Sequence, residues 1–463
     1  MLTRLVRYVT FHLSHFKDSL FATNIPMSGR AEQRYCFRRN TIVRDLSIGL
    51  VTIMFIGILC IHLPEATLRL QAWFQSGHAN DGRERERIME RQGFRNTELG
   101  HELPWFMKGG VIRPSPSSRV DRKLWPVNGS DDDRIVEQLM YVPPGYTSQK
   151  GDNGLKTILL RGRLPDFHEG RRLFVRDQCP VDTCQAFVLN DSRPADAILF
   201  PSGYEEARPR DPREIWIFYA LENPVHVPLW SEYVRFNWTA TYRRDSVIVT
   251  PYEKFVPFDA PVKKLTLNGR NFAKNKTKLV AWFVSDCRTP NMRMEYAKEL
   301  AKYVQVDIYG SCGPLKCPHA MSEQCFRMLD EEYKFYLAFE SVNCRDYITE
   351  KLYNALRHNV VPIVMGASPE EYRRAAPYHS YIHVDDFETP KDLAKYLGDL
   401  DRSDDLYNEY FAWKGTGEFI NTFFWCRLCA MLHAPPPVAY GISHDIFAWW
   451  GDGACRAPKR VKT

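Results

Sequence analysis

Hydrophobic and polar positions along the 463-residue chain fall into four textures. Leu46 to Leu63 (LSIGLVTIMFIGILCIHL) is a run of 18 residues without Asp, Glu, Lys or Arg. At about 1.5 Å per residue, a helix of that length just crosses a bilayer core of about 30 Å, whereas buried globular helices rarely run so long without charge. The run begins 45 residues in and no small-residue cleavage site follows it, which argues against a cleaved signal peptide. Residues 64–151 alternate a charged stretch (Arg83 to Arg87, RERER) with a Pro/Ser-rich one (Val111 to Val120) and keep no period, the texture of a stem. From Leu155, short apolar runs between turns predict strands over Thr157–Leu160, Gln185–Leu189, Ala197–Phe200, Glu214–Ala220 and Ser246–Thr250.

After Lys278 strands and helices alternate. Leu279–Val284, Val304–Tyr309, Phe335–Phe339, Val360–Met365 and Tyr381–Val384 read as buried strands. Asn291–Tyr303, Tyr347–His358 and Lys391–Leu400 read as helices, the first with Met294, Ala297 and Ala301 on one stripe. This alternation predicts α/β architecture with doubly wound parallel sheets. Two α/β halves follow, 152–265 and 266–440, facing across a cleft, with 441–463 as a C-terminal tail. Ligands of such sheets bind beyond the carboxyl ends of the strands.

Charge orients the chain. Residues 1–45 carry eight Lys/Arg against three Asp/Glu, so +5 of the net +6 precedes the apolar run and only +1 follows it. A body so nearly neutral lacks the footprint of a nucleic-acid binder. Positive residues stay cytoplasmic, so the reading is a single-pass type II signal-anchor protein: 1–45 cytoplasmic tail, 46–63 transmembrane helix, the body in the lumen. Ten of the 12 cysteines follow the span, an even number that suits disulfides in an oxidising compartment. Cys426-x-x-Cys429 has no second metal-spaced pair, which disfavours zinc. The sequons at Asn128, Asn190 and Asn275 are candidate glycosylation sites; a glycan at Asn237 would obstruct the cleft.

The candidate chemistry in the second half is Lys334 to Lys351 (KFYLAFESVNCRDYITEK): a strand end, a polar loop, and a helix opening with Asp346 as its N-cap. Glu350 and Lys351 fall in the first turns, where a nucleotide's phosphate or ribose lies after a buried strand. Taken alone, such charges are more often a solvated helix face.

Phe339-Glu-Ser with Asp346-Tyr-Ile-Thr-Glu-Lys351 resembles the signature of the α1,3-fucosyltransferases of glycosyltransferase family 10. Trp216 to His226 (WIFYALENPVH) and Phe236 to Asp245 (FNWTATYRRD) resemble two upstream elements, and Trp413 to Cys429 is similar to the subgroup that fucosylates the N-glycan core. The resemblance spans about residues 155–455. It departs from the usual pattern at Ser341 and Val342, where the family has Asn and Ser, and at Asn223, where it has Ser.

The resemblance implies a GT-B fold, two Rossmann-like domains facing across a cleft. It further implies a Golgi enzyme that moves L-fucose from GDP-fucose to the 3-OH of the innermost GlcNAc of N-glycans, with inversion. The alternatives are a Lewis-type enzyme acting on antennal GlcNAc and a non-catalytic GDP-sugar or glycan-binding protein. The implied partners are GDP-fucose, N-glycans on glycoproteins and the membrane through one helix. No tightly bound cofactor and no obligatory metal are implied, while stimulation by Mn2+ or Mg2+ is allowed. An inverting transfer needs a carboxylate to take the acceptor's proton; Glu222 matches that base. Arg293 and Lys351 match the diphosphate contacts, and Glu350 suits ribose or fucose hydroxyls. Tyr347, Tyr242 and Ser285 match donor-pocket positions, and Arg243 either contacts phosphate or holds Asp245. Similar enzymes bridge their C-terminal C-x-x-C to an early cysteine pair, which implies Cys179–Cys426 and Cys184–Cys429; a local Cys426–Cys429 bridge is the alternative.

Overall fold

In the computed structural model of the chain, the apolar runs after Leu155 become the strands of a five-stranded sheet. The structure describes residues 103–458 apart from 117–121, 128–131, 148–153, 163, 165–166, 190–192, 202–210, 228–234, 259–263, 318–322 and 435–445. The tail and span readings, the first part of the stem, and the sequons at Asn128 and Asn190 lie outside the described residues. Among the described residues no helix is long and apolar enough to cross a membrane.

A short helix, α1 (Ile135–Leu139), precedes β1 (Lys156–Leu160); α2 (Arg172–Arg176), β2 (Cys184–Val188), β3 (Ala197–Pro201), β4 (Ile215–Ala220) and β5 (Trp238–Thr241) follow. The strands are all parallel, in the order β2-β1-β3-β4-β5. The fifth strand is therefore not the expected Ser246–Thr250. The Thr241 and Ser246 hydroxyls bond at 2.7 Å and the Ser246 amide donates to the Arg243 carbonyl, which turns the chain back. Residues 246–250 then lie beside β5, buried, with the Ile248 and Thr250 amides donating to Thr239 and Thr241.

The second sheet repeats the plan. Its strands are β7 (Lys278–Phe283), β8 (Val306–Tyr309), β9 (Tyr333–Phe339), β10 (Val361–Met365) and β11 (Ile382–His383), in the parallel order β11-β10-β9-β7-β8. Every residue of β9 is buried, as a central strand covered on both faces should be. The covering helices are α3 (Arg293–Leu300), α4 (Glu323–Glu332), α5 (Glu350–Arg357), α6 (Pro369–Ala375), α7 (Pro390–Arg402) and α8 (Asp404–Asn408). In α7, Thr389 caps the helix, Pro390 opens it, and Leu393, Ala394, Leu397 and Leu400 form its buried stripe. Counted from its first strand, each sheet has the order 2-1-3-4-5, so each reverses direction beside that strand. In the second sheet the reversal falls between β7 and β9, the place where such sheets bind ligands.

Between the halves, β6 (Lys254–Pro257) pairs antiparallel with β12 (Gly417–Ile420). The chain then returns to the first half. Helix α9 (Phe424–Leu432) buries Leu428, Ala430 and Met431 in the first core, and α10 (Ile446–Gly451) sets Trp450 edge-on against Phe218, 5.1 Å between centroids. The part of 441–463 that is described is thus built into the fold rather than a free tail. The stem reading also gives way from residue 103 onward. Trp105, Phe106, Leu124, Trp125, Ile135 and Leu139 are buried in the first core. Their spacing has no period because each is placed by tertiary contact; Trp105, for example, donates from Nε1 to the Leu139 carbonyl at 3.1 Å.

All ten cysteines among the described residues are paired: Cys179–Cys426, Cys184–Cys429, Cys287–Cys312, Cys317–Cys325 and Cys344–Cys455. The first two close sequence separations of 247 and 245 residues and fasten α9 to the first half. One such closure is worth about 5 kcal/mol in the chain-entropy model. The second adds much less, because the long loop is already closed. Replacing the Cys179–Cys426 pair by alanine, or the Cys184–Cys429 pair, should therefore each cost less than half of what removing both pairs costs, as read by guanidinium denaturation. Additive losses would contradict the shared-loop account.

Candidate functional site

The carboxyl end of β9 presents Glu340, which has no exposed surface. Its carboxylate accepts from the Thr349 amide at 2.8 Å and from the Thr349 hydroxyl at 2.9 Å, and lies 3.2 Å from the Lys351 ammonium. Lys351 also meets Glu350 at 3.2 Å and donates to Thr349 Oγ1 at 2.8 Å. Burial works against the Lys351 charge, but Glu340 and Glu350 outweigh it and hold the amine protonated beyond its ordinary range. The strand ends here pass closely. Gly366, just after β10, has φ +151°, and a Cβ there would lie 2.8 Å from the Glu340 Cγ. That position needs glycine.

Helix α5 begins after this knot. Thr349 occupies the N-cap position, with its hydroxyl committed to Glu340 rather than to the helix. Asp346, expected as the cap, instead adopts the left-handed region at φ 56°, which Asp tolerates, and accepts from the Arg244 amide at 3.1 Å. Between them Tyr347 turns towards the first half. Its hydroxyl donates to Glu222 Oε2 at 2.8 Å, and its ring lies 5.1 Å from that of Tyr242. Burial raises the pKa of the Tyr347 hydroxyl, with Glu340 adding to the effect, so it remains a donor.

Glu222 sits just beyond the carboxyl end of β4 with about half of its side chain exposed, 52%. The buried Asn223 shapes the turn: its Oδ1 accepts from the Val225 and His226 amides, and its amide group meets His226 Nδ1 at 3.0 Å. His226 Nδ1 lies 3.5 Å from Glu222 Oε2. The carboxylate is thus solvent-accessible and held by one phenol from the opposite half.

Two of the expected donor contacts, Arg293 and Arg243, make bonds within the protein. Arg293 opens α3 but is only 5% exposed; its two terminal nitrogens donate to the Phe339 and Asp286 carbonyls, both at 2.9 Å. It braces the ends of β9 and β7 at the switch point through those two bonds, and its buried Nε has no partner among the described residues. Burial lowers its pKa, and Asp286 and Glu340 oppose that. Arg243 resolves to the second of its two readings: it bonds Asp245 through Nε and Nη2 at 3.1 and 2.7 Å, donates to the Trp449 carbonyl, and lies 4.0 Å over the Trp449 ring. Ser285 is exposed beyond the end of β7, and its carbonyl accepts from Ser311 at 2.8 Å. Asn275 lies exposed in a turn, while half-buried Asn237 accepts from the Trp216 amide at 2.9 Å.

The structure therefore brings Glu222, Tyr347 and Tyr242 together across the halves, and Glu350 and Lys351 around Glu340. Glu340 is the residue that sequence reasoning left unassigned. Its signal was a single acidic side chain ending a seven-residue apolar strand, a position where a charge is retained only if it is paired.

Residues 273–449 match the family model described as glycosyltransferase family 10 (fucosyltransferase) C-terminal, and residues 153–253 match the fucosyltransferase N-terminal model. The glycoprotein 3-alpha-L-fucosyltransferase A of Drosophila melanogaster is 47% identical over 384 residues, 79% of this chain and 76% of that protein. The chain belongs to glycosyltransferase family 10. A human 3-galactosyl-N-acetylglucosaminide 4-alpha-L-fucosyltransferase is 38% identical over 327 residues, 66% of this chain and 87% of that one. A crystal structure of an alpha1,3-fucosyltransferase with GDP-fucose aligns at TM-score 0.44 with 15% identity, covering 66% of this chain and 97% of that one. In this fucosyltransferase the N-terminal match holds Glu222 and Tyr242, and the C-terminal match holds Arg293, Tyr347, Glu350 and Lys351.

The Glu340–Lys351 pair tests whether this knot is structural as well as chemical. Lys351→Met leaves a fully buried carboxylate facing Glu350 without its cation, which should cost about 3–5 kcal/mol by chemical denaturation. Adding Glu340→Gln removes the stranded charge and should restore most of that loss. A double variant as unstable as Lys351→Met would contradict the pairing.

Proposed function

We propose that this fucosyltransferase carries L-fucose from GDP-fucose to the 3-OH of the innermost GlcNAc of N-glycans, with inversion, across the cleft of a GT-B arrangement. The 2.8 Å bond from Tyr347 to Glu222 carries the reading. It sets a half-exposed carboxylate of the acceptor-side half one hydrogen bond from the loop that follows the donor-side switch point. Glu222 takes the acceptor hydroxyl's proton, the freed oxygen bonds to the anomeric carbon, and the bond from that carbon to the diphosphate breaks, with the electron pair leaving on GDP. The Tyr347 donor keeps the Glu222 carboxylate aimed. Lys351, with 30% of its side chain exposed, supplies positive charge, and Glu350 accepts from sugar hydroxyls. Ser285, at the adjacent strand end, lines the donor pocket.

The acceptor follows the more similar relative. Identity is 47% to the glycoprotein enzyme and 38% to the galactosyl-N-acetylglucosaminide enzyme, which favours the N-glycan core over an antenna. Assaying the chain with GDP-fucose on core glycans and on LacNAc-bearing antennae separates the two. Glu222→Gln keeps the volume and loses the proton affinity, so transfer should fall by about 10²–10⁴ while GDP affinity measured by calorimetry stays near the parent's. Near-normal turnover would remove Glu222 from the role of base.

The same reading places the protein in the Golgi membrane as a single-pass type II protein, supported by the uncharged run at 46–63 and the basic residues before it. Asn275, exposed in its turn, should then carry a glycan. Endoglycosidase digestion should lower the mass of the protein from secretory-pathway expression; an unchanged mass would count against a lumenal body.

A further inference from the structure

The turn that carries Glu222 also fixes a histidine beside it. Asn223 Oδ1 accepts from the Val225 and His226 amides at 3.1 and 3.2 Å. Turned the other way, the Asn223 side chain would set its NH2 group against two N–H donors, so these bonds establish which end is the oxygen. The group that meets His226 Nδ1 at 3.0 Å is therefore the NH2, a donor. Nδ1 must accept, which places the ring proton on Nε2 and leaves the imidazole neutral.

Nδ1 lies 3.5 Å from Glu222 Oε2, outside hydrogen-bonding range, so the ring stands beside the carboxylate without bonding it. Oε2 takes its bond from the Tyr347 hydroxyl at 2.8 Å, and among the described residues Oε1 has no partner. Nor does His226 Nε2 among those residues. Both side chains are about half exposed, 46% for His226 and 52% for Glu222. The turn thus offers one carboxylate oxygen that can take a proton and, beside it, one N–H that can give a hydrogen bond. A sugar ring carries the complement on neighbouring carbons, a hydroxyl to be deprotonated and a second oxygen that accepts.

We propose that His226 binds the acceptor sugar through Nε2–H, at an oxygen next to the hydroxyl that Glu222 deprotonates, which rests on the reading of Glu222 as the base. Beside the 3-OH of GlcNAc those oxygens are the 4-oxygen and the acetamido carbonyl, and both accept. Asn223 holds the ring proton on the nitrogen that the acceptor needs. A neutral ring also leaves the proton affinity of Glu222 intact, whereas an imidazolium 3.5 Å away would lower it.

Replacements that each keep one of the two nitrogens test it. A glutamine amide nitrogen reaches the place of Nε2, and an asparagine amide nitrogen the place of Nδ1. Steady-state kinetics of the parent, His226→Ala, His226→Asn and His226→Gln with GDP-fucose and a core N-glycan give both KM values, and calorimetry gives GDP affinity. The acceptor KM should rise about three- to tenfold in His226→Ala and His226→Asn, the worth of one hydrogen bond, with His226→Gln recovering most of that loss. The KM for GDP-fucose and the GDP affinity should stay with the parent's. A parent-like acceptor KM in His226→Ala overturns the inference and leaves Glu222 as the base. Recovery by Asn and not by Gln overturns it too, because the shape of the turn at Nδ1 is then what matters. Equal losses for acceptor and GDP also overturn it, since a collapsed cleft loses both. Near-normal turnover in Glu222→Gln removes the base reading and this inference with it.

Discussion

The bond between Tyr347 and Glu222 joins residues 125 positions apart from two separate sheets, yet it is worth only about 1 kcal/mol. So small a term reports the position of the halves and does not set it. What sets it is the return of the chain. Helix α9 is fully buried along one face in the first core, and its Arg427, with no exposed surface, donates to the Thr422 carbonyl at 2.6 Å and to Gln138 at 3.1 Å. Cys426 and Cys429, one turn apart, lock it there through Cys179 and Cys184. Helix α10 adds Trp450 against Phe218 and Tyr242. Covalent closure and aromatic burial therefore hold the carboxylate of one half at bonding distance from the phenol of the other.

Charge around the donor-side switch point is tightly allotted. Glu340, Glu350 and Lys351 sum to −1 within one knot, and Arg293 beside it serves two carbonyls. A diphosphate arriving there meets a net negative cluster unless other donors take part. The N-termini of α3 and α5 each offer about half a positive charge and unpaired amides. Glu350, at the first position of α5, is then better matched to neutral sugar hydroxyls than to phosphate. Arg293 keeps the strand ends in register through its two terminal nitrogens and leaves its Nε without a partner among the described residues.

Much of this was readable in the chain and some was not, for identifiable reasons. Continuous apolar runs such as those of β9 and β10 and the stripe of α7 are set by local burial, so their period and position survive in the sequence. The fifth strand did not, because Ser246–Thr250 is the more apolar of the two runs, yet it is Trp238–Thr241 that pairs with β4, and the chain then turns back at the Thr241–Ser246 hydroxyl bond. The start of the folded body was missed because Trp105–Met107 and Leu124–Trp125 are short apolar groups with no repeating pattern around them. Among the candidate site residues, Glu222, Tyr347 and Lys351 were visible as residue types at strand ends and helix starts. The inward turn of Arg293 and Arg243 was not, since a guanidinium's partner is chosen by carbonyls and rings contributed from distant strands and from α10.

The substituted positions show how such a site tolerates change. Val342, where the family pattern has a polar residue, is 2% exposed and packs with Cys344, Tyr347 and Trp450, so an apolar side chain supports the loop that carries Tyr347. Asn223 stands where the pattern has Ser, immediately after the proposed base. A serine hydroxyl in that place has one oxygen to offer the turn. The asparagine accepts from two successive amides and uses its own amide on His226, all without exposed surface. A turn with its donors satisfied from within has no reason to borrow the carboxylate of Glu222 for the purpose. Glu222 is thereby left with one phenol, one imidazole and solvent, which is the condition a general base requires.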